Sequence, residues 1–187
     1  MADTKHLDIL WRGVETWNSW RADNSVVIPE FSGADLRRIK LKGVNLMGAK
    51  LGGTDLRRAV LDRATMGRAD LFWADLSWAN LVEPDLRNAN ISMANLFASN
   101  LFGADLSGAD LFGSNLSGAN LGTAKFVGAD LRHCNFDGAM LHDADLSDAD
   151  LSTATRLSAD QIEKADGNAG TQLPEGLPKP EHWFFTN

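Results

Sequence analysis

Four histidines, one cysteine and 25 carboxylates are the side chains in this 187-residue sequence able to move protons, attack carbonyls or hold a metal. His133 and Cys134 are neighbours. A thiolate–imidazole dyad needs both side chains on one side of the chain. The five-residue register set out below turns Cys134 inward and His133 outward, so Cys134 reads as a small buried core residue. His133 and His142 fall on opposite faces in that register and share no metal. His6 and His182 lie near the two ends. The carboxylates recur at even spacing, so no pair stands out as general acid and base. There is no G-x-G-x-x-G before a helix and no phosphate loop. A single cysteine excludes an internal disulfide framework and a multi-cysteine metal site. The sequence therefore predicts no catalytic residues, no metal and no cofactor.

What positions these residues is a repeat. Stepping by five from Phe31 to Leu151 meets 25 large apolar residues in unbroken register, mostly Leu with Met66, Ile91, Phe126 and Phe136 among them. The residue two before each is Ala in 17 cases, and the residue one before is Asp or Asn in 18. A period of five fits neither the 3.6 of a helix nor the 2 of a strand. Gly, Asp and Asn at such density also oppose a helix. The alternative is a chain that turns a corner every five residues, one large and one small side chain inside, three residues outside. Short Asp and Asn side chains suit such corners because they bond to nearby backbone.

The unit Ala-Asp/Asn-Leu-x-x, as in Ala104-Asp105-Leu106-Ser107-Gly108, resembles that of the pentapeptide-repeat proteins. The resemblance covers residues 29–154. It implies an all-β solenoid, a right-handed quadrilateral β-helix with four repeats per coil and about six coils. The expected organisation is an N-terminal capping helix and lead-in (1–28), the β-helix (29–154) and a C-terminal cap and tail (155–187). Both ends of such a stack need covering. Leu7, Leu10, Val14 and Trp17 predict one amphipathic helix over residues 4–22. Val26-Val27-Ile28 reads as an extended lead-in. Ser158 and Gln161 form a capping-box pattern opening a short C-terminal helix. The closing aromatics Trp183, Phe184 and Phe185 either lie over the last coil or pair two subunits.

With four repeats per coil, residues 20 apart stack on one face. Arg37 and Arg57 then share a row, as do Arg38 and Arg58. Residues 31–68 carry a net charge of +6 and residues 69–151 a net of −9, within a total of −7, so the rod is polarised along its axis. Outward aromatics gather in the middle coils: Phe72, Trp73, Trp78, Met93, Phe97, Phe102 and Phe112. They are the candidate partner surface, since exposed apolar patches mark contact sites. Pro84 occupies a small-residue slot where Ala is usual. Its missing N–H predicts a lost inter-coil bond and a slight kink at residues 82–85.

These features point to a non-enzymatic protein-binding scaffold. The resemblance supplies an alternative, because some family members mimic duplex DNA and bind type II topoisomerases (DNA gyrase or topoisomerase IV), protecting them from quinolones or toxins. The acidic surface for that role is Asp70, Asp85, Asp105, Asp110, Asp130, Asp145 and Asp150. The arginine collar fits such mimicry poorly. It also raises direct nucleic-acid binding, which the acidic remainder of the rod opposes. The resemblance further implies dimerisation through the C-terminal end. No run approaches the ~18 apolar residues of a membrane span, and residues 1–8 lack a basic and apolar leader. The expected location is the cytoplasm, with no membrane partner.

Overall fold

The repeat around Leu71 shows how five residues close one unit. In the computed structural model, which describes residues 1–184, the Asp70 N–H donates to the Ala49 carbonyl of the preceding coil at 2.9 Å. The Leu71 and Trp73 N–H groups donate to the Asn90 and Ser92 carbonyls of the following coil, at 2.7 and 3.1 Å. The Ala74 N–H turns back to the Leu71 carbonyl at 3.0 Å. Only the Phe72 N–H has no backbone acceptor, and it donates to Oδ1 of Asp70 at 3.1 Å. Every donor of the unit is thereby satisfied, as a tightly wound backbone requires. The Asp/Asn row exists because one N–H in five needs a side-chain acceptor. The same bond recurs from Ser77 to Asp75, Phe97 to Asn95 and Phe112 to Asp110.

Parallel bridges join each corner residue to the one twenty later, from Glu30–Lys50 through Asn135–Thr155. The molecule is a solenoid with four repeats per turn. Its walls, however, are single-residue bridges rather than the continuous strands that an all-β description implies. After each bridged residue the chain enters a two-residue turn whose second position is left-handed, φ 72° at Gly33 and 60° at Trp73. That is the geometry of a type II turn. With a turn in every five residues, no strand has room to extend.

The large side chains from Phe31 to Leu151 fill the interior, none more than 2% exposed. Where the small slot holds a polar residue, its donor finds a carbonyl, in its own repeat for Ser99 (Leu96 O, 2.7 Å) and in the preceding coil for three others. Thr54 Oγ1 donates to Phe31 O at 3.0 Å, Ser114 Oγ to Ile91 O at 2.7 Å, and Cys134 Sγ to Leu111 O at 3.0 Å. The interior is thus filled and satisfied, a near one-dimensional stack in which each coil supports the next.

The N-terminal segment forms two helices, α1 (Thr4–Trp11) and α2 (Val14–Asp23), where the periodicity predicts one. Gly13, at φ 107°, breaks them apart. The break lets α2 fold across the open first coil and satisfy its backbone groups with side chains. Trp17 Nε1 donates to Asn45 O at 2.7 Å, Asn18 Nδ2 to Gly43 O at 2.9 Å, and the Asn45 N–H to Asn18 Oδ1 at 2.8 Å. The buried Trp17 ring packs on Phe31, 5.3 Å between centroids. Val26 lies in a turn and is 92% exposed, so the expected extended lead-in begins later.

At the other end the winding outlasts the sequence repeat. Asp145 bridges Asp166 and Asp150 bridges Gln172, 21 and 22 residues apart instead of 20. One extra residue falls in the segment that holds α3 (Ala159–Glu163) and the second between Asp166 and Gln172. The Ser158–Gln161 capping box opens α3, and Gln161 Nε2 donates to the carbonyls of Phe136 and Ala139, both at 2.8 Å. Thr171 sits fully buried in a small slot and donates to Leu146 O at 2.9 Å.

Pro84 produces no kink. In every repeat the slot it occupies uses its N–H for the turn bond within the repeat, not for the ladder. The ladder around it is intact: Glu83 N to Phe102 O at 2.9 Å, Asp85 N to Ala64 O at 2.9 Å, and Asp105 N to Pro84 O at 3.0 Å. No helix among the described residues is long and apolar enough to cross a membrane.

Candidate functional site

The outward residues inherit their positions from the turn. The first residue after each core position projects from the wall and the second carries the left-handed backbone. Trp73 and Trp78 both occupy that second place, at φ 60° and 61°, and stand 71% and 57% exposed. For an L side chain the left-handed region costs roughly 1–2 kcal/mol, and a bulky residue there is uncommon. Two indoles are thus held in water on the least comfortable backbone positions of the fold.

The seven predicted surface residues are all exposed but divide among three faces. Phe72, Trp73, Met93 and Phe112 share one face, Trp78 and Phe97 the next, and Phe102 a third. Trp78 and Phe97 meet edge to face, 5.5 Å between centroids. Two histidines extend the band in a way that composition did not signal. His133 packs edge to face on Phe112 at 5.0 Å, and His142 faces Phe102 at 6.3 Å. The stacking interval could have found them, since 133 and 142 lie 21 and 40 residues beyond their partners. Arg132 adds its guanidinium over the Phe112 ring at 5.6 Å, a cation–π contact.

The arginines sort into two kinds. Arg37 forks onto Asp35, with Nε–Oδ1 2.8 Å and Nη2–Oδ2 2.5 Å, and its Nε also lies 3.6 Å from Asp55. Arg57 repeats this on Asp55 and reaches Asp75 at 3.9 Å. The signal is the tripeptide Asp-Leu-Arg, and it recurs with the same fork at 85–87 and 130–132. Bonding to Arg37 holds the Asp35 carboxyl down at about 2, and the arginine partners of Asp55, Asp85 and Asp130 lower theirs. Arg38 and Arg58, by contrast, are exposed and make no ion pair or side-chain hydrogen bond among the described residues.

The candidate acidic residues form two stacks at different corners. Asp70, Asp110, Asp130 and Asp150 belong to one, interrupted by Asn90. Asp85, Asp105 and Asp145 belong to the other, interrupted by Lys125. Asp85 and Asp130 are engaged by arginine, so these rows carry less free charge than their sequence suggests.

Cys134 lies in the core, and burial pushes its thiol up to about 12. It is therefore no nucleophile. Among the described residues no three His, Cys, Asp or Glu side chains cluster as metal ligands would. Of the closing aromatics, Trp183 is buried and donates from Nε1 to Ala165 O at 2.8 Å, while Phe184 is 61% exposed. Phe185 falls outside the described residues.

The family model for pentapeptide repeats matches in eight copies between residues 30 and 152. No curated protein matches the chain. Among solved structures, HetL, a pentapeptide repeat protein involved in heterocyst differentiation regulation in Nostoc sp. strain PCC 7120, is 27% identical. That match covers 80% of this chain and 81% of HetL, with a TM-score of 0.44. Rfr23 from Cyanothece 51142 is also 27% identical over 74% of this chain and 94% of its own, TM-score 0.40. QnrB1, a plasmid-mediated fluoroquinolone resistance protein, is 21% identical over 78% and 79%, TM-score 0.44. With the five-residue register, the twenty-residue bridging interval and the family match over most of its length, the chain belongs to the pentapeptide-repeat family.

Proposed function

We propose that this protein is a cytoplasmic, non-enzymatic scaffold that binds another protein through the outward aromatic band of its middle coils. The reading takes the rod as a right-handed quadrilateral helix of about six coils over residues 29–154, with the flanking segments as caps. The observation that carries it is the pair Trp73 and Trp78. Folding alone favours glycine at left-handed turn positions and does not favour exposed indoles. Backbone held against preference at an exposed, apolar site points to use. The test is a cross-linking pull-down comparing the intact protein with Trp73→Gly plus Trp78→Gly, substitutions that the turn accepts. Partners lost from the variant support the reading. Identical partners from both proteins overturn it.

A second reading, a DNA mimic that binds DNA gyrase or topoisomerase IV, draws on the acidic stacks. Asp110, Asp130 and Asp150 follow one another on a single corner, at a rise of about 4.8 Å per coil. A supercoiling assay with and without quinolone separates the two readings. For the C-terminal end, we assign Trp183 to the cap and the exposed Phe184 to pairing between two copies. Sedimentation of Phe184→Ser against the intact chain tests that assignment.

A further inference from the structure

The N-terminal coils carry an open cleft of about 850 Å³ whose lining includes Trp11, Arg37, Arg38, Arg57, Arg58 and Trp78. Arg37 and Arg57 are committed to Asp35 and Asp55. They form a braced floor and leave Arg38 and Arg58 as free guanidinium groups. These two and Trp78 occupy successive places on one row, at positions 38, 58 and 78, each one coil beyond the last. The row therefore reads cation, cation, aromatic ring, with rises of roughly 4.8 Å. Trp11 of α1, 58% exposed, closes the far end.

We propose that this cleft binds a nucleoside di- or triphosphate, its phosphates on Arg38 and Arg58 and its base on the Trp78 indole. Guanidinium groups bond phosphate oxygens in charge-assisted, often forked pairs. Neither free one is paired with a carboxylate, and the carboxylate in the cleft wall, Asp35, is held by Arg37. A base stacked on an indole contributes about 1–3 kcal/mol and is tolerant of base identity. Two coil rises from Arg38 to Trp78 match the reach of a ribose and its phosphates. The charge boundary limits the ligand to a short one. Net charge changes from +6 over residues 31–68 to −9 over 69–151, so a long strand or duplex laid along the rod meets repulsion within a coil of Trp78, whereas a mononucleotide ends before it. The proposal does not depend on the scaffold reading, whose band reaches this cleft only through Trp78.

The test is titration calorimetry of the full chain at low salt with ATP, ADP, inorganic tripolyphosphate and a fifteen-nucleotide oligo-dT. Arg38→Gln plus Arg58→Gln should weaken ATP binding at least tenfold. Trp78→Leu should weaken ATP at least fivefold and leave tripolyphosphate unchanged, with Trp78→Phe restoring most of the loss. Absence of ATP binding, or ATP binding indifferent to the double arginine variant, overturns the proposal. Tripolyphosphate binding as tightly as ATP shows a bare anion site and overturns the nucleotide assignment. Tighter binding of oligo-dT than of ATP overturns the limit to a short ligand.

Discussion

The imidazole of His142 lies across Gly122 and faces the ring of Phe102, two coils away, at 6.3 Å between centroids. A Cβ on Gly122 would clash with Cε1 of that imidazole. Glycine is present there to let the histidine lie flat, not to ease the backbone. In Gly122→Ala the imidazole, the far end of a flexible side chain, swings away and the ring contact is lost. The gain of about 0.4–1 kcal/mol that alanine brings through the unfolded chain offsets the roughly 0.5–1.5 kcal/mol of a lost aromatic pair. The melting temperature should change little, while the ring-current shift of the His142 Hε1 proton disappears. A retained shift would place the histidine elsewhere.

The two outward tryptophans should respond differently to glycine. Trp73→Gly relieves a left-handed φ that costs roughly 1–2 kcal/mol and gives back about 0.4–1 through the more flexible unfolded chain. The expected outcome is a net gain of about 0.5–1 kcal/mol in urea denaturation. Trp78→Gly also gives up its edge-to-face contact with Phe97, worth about 0.5–1.5 kcal/mol, so its stability should be nearly unchanged. A clear loss from Trp73→Gly would show that the indole packs on the wall and contributes to the fold.

The core register of this fold is written openly in the sequence, because each large residue from Phe31 to Leu151 has one environment and one period. The role of the Asp/Asn row is also legible, since a short acceptor there reaches the N–H two residues on. The surface is less so. Asp-Leu-Arg at 35–37 reads as a cation beside an anion, and the sequence alone does not say that Arg37 is consumed by its own repeat while Arg38 is left free. The turn back onto the last coil was hidden for another reason. One residue is added around α3 and another between Asp166 and Gln172, so these two bridge at intervals of 21 and 22, and a fixed step of five no longer meets them. Gly13 shows the converse: a helical stripe is blind to the left-handed φ that divides α1 from α2.

Cys134 should behave as a small core residue with a satisfied donor. Its Sγ occupies the same relation to Leu111 O that Ser114 Oγ has to Ile91 O. Cys134→Ser should therefore cost no more than about 1 kcal/mol, within the range of one ordinary hydrogen bond. With its thiol pushed up to about 12 by burial, native Cys134 should not react with Ellman's reagent at pH 8. It should react fully in denaturant. Rapid reaction of the folded protein would contradict its placement.

Pro84→Ala restores one turn N–H, to the Leu81 carbonyl, and leaves the ladder unchanged. The regained bond is worth about 0.5–1.5 kcal/mol. Loss of the proline's restraint on the unfolded chain takes back about 0.4–1 kcal/mol. The net change should be under about 1 kcal/mol in equilibrium unfolding. Amide exchange at Asp85 and Asp105, whose bonds to Ala64 and Pro84 flank the site, should be unaffected. Accelerated exchange at either amide in the native protein relative to the variant would show that the proline does strain the ladder.

The Asp-Leu-Arg forks set how the rod responds to acid. Hydrogen bonding from Arg37 holds Asp35 at about 2, against 3.8 for the free side chain, and Asp55, Asp85 and Asp130 are lowered by their own arginines. A carboxyl whose pKa is lower in the folded state than in the unfolded one binds fewer protons when folded. Its contribution is fully present above about pH 4 and is lost as pH falls through the folded value. Four such groups act in the same direction, so the melting temperature should be level from pH 7 to about 5 and fall between about pH 4 and 2. Salt should reduce that fall, because the pairs are exposed and screened. Replacing Arg37, Arg57, Arg87 and Arg132 with Gln should flatten the acid limb, since the four carboxyls then titrate near their unfolded values. An acid limb of equal steepness in the quadruple variant would place the acid sensitivity in other carboxylates.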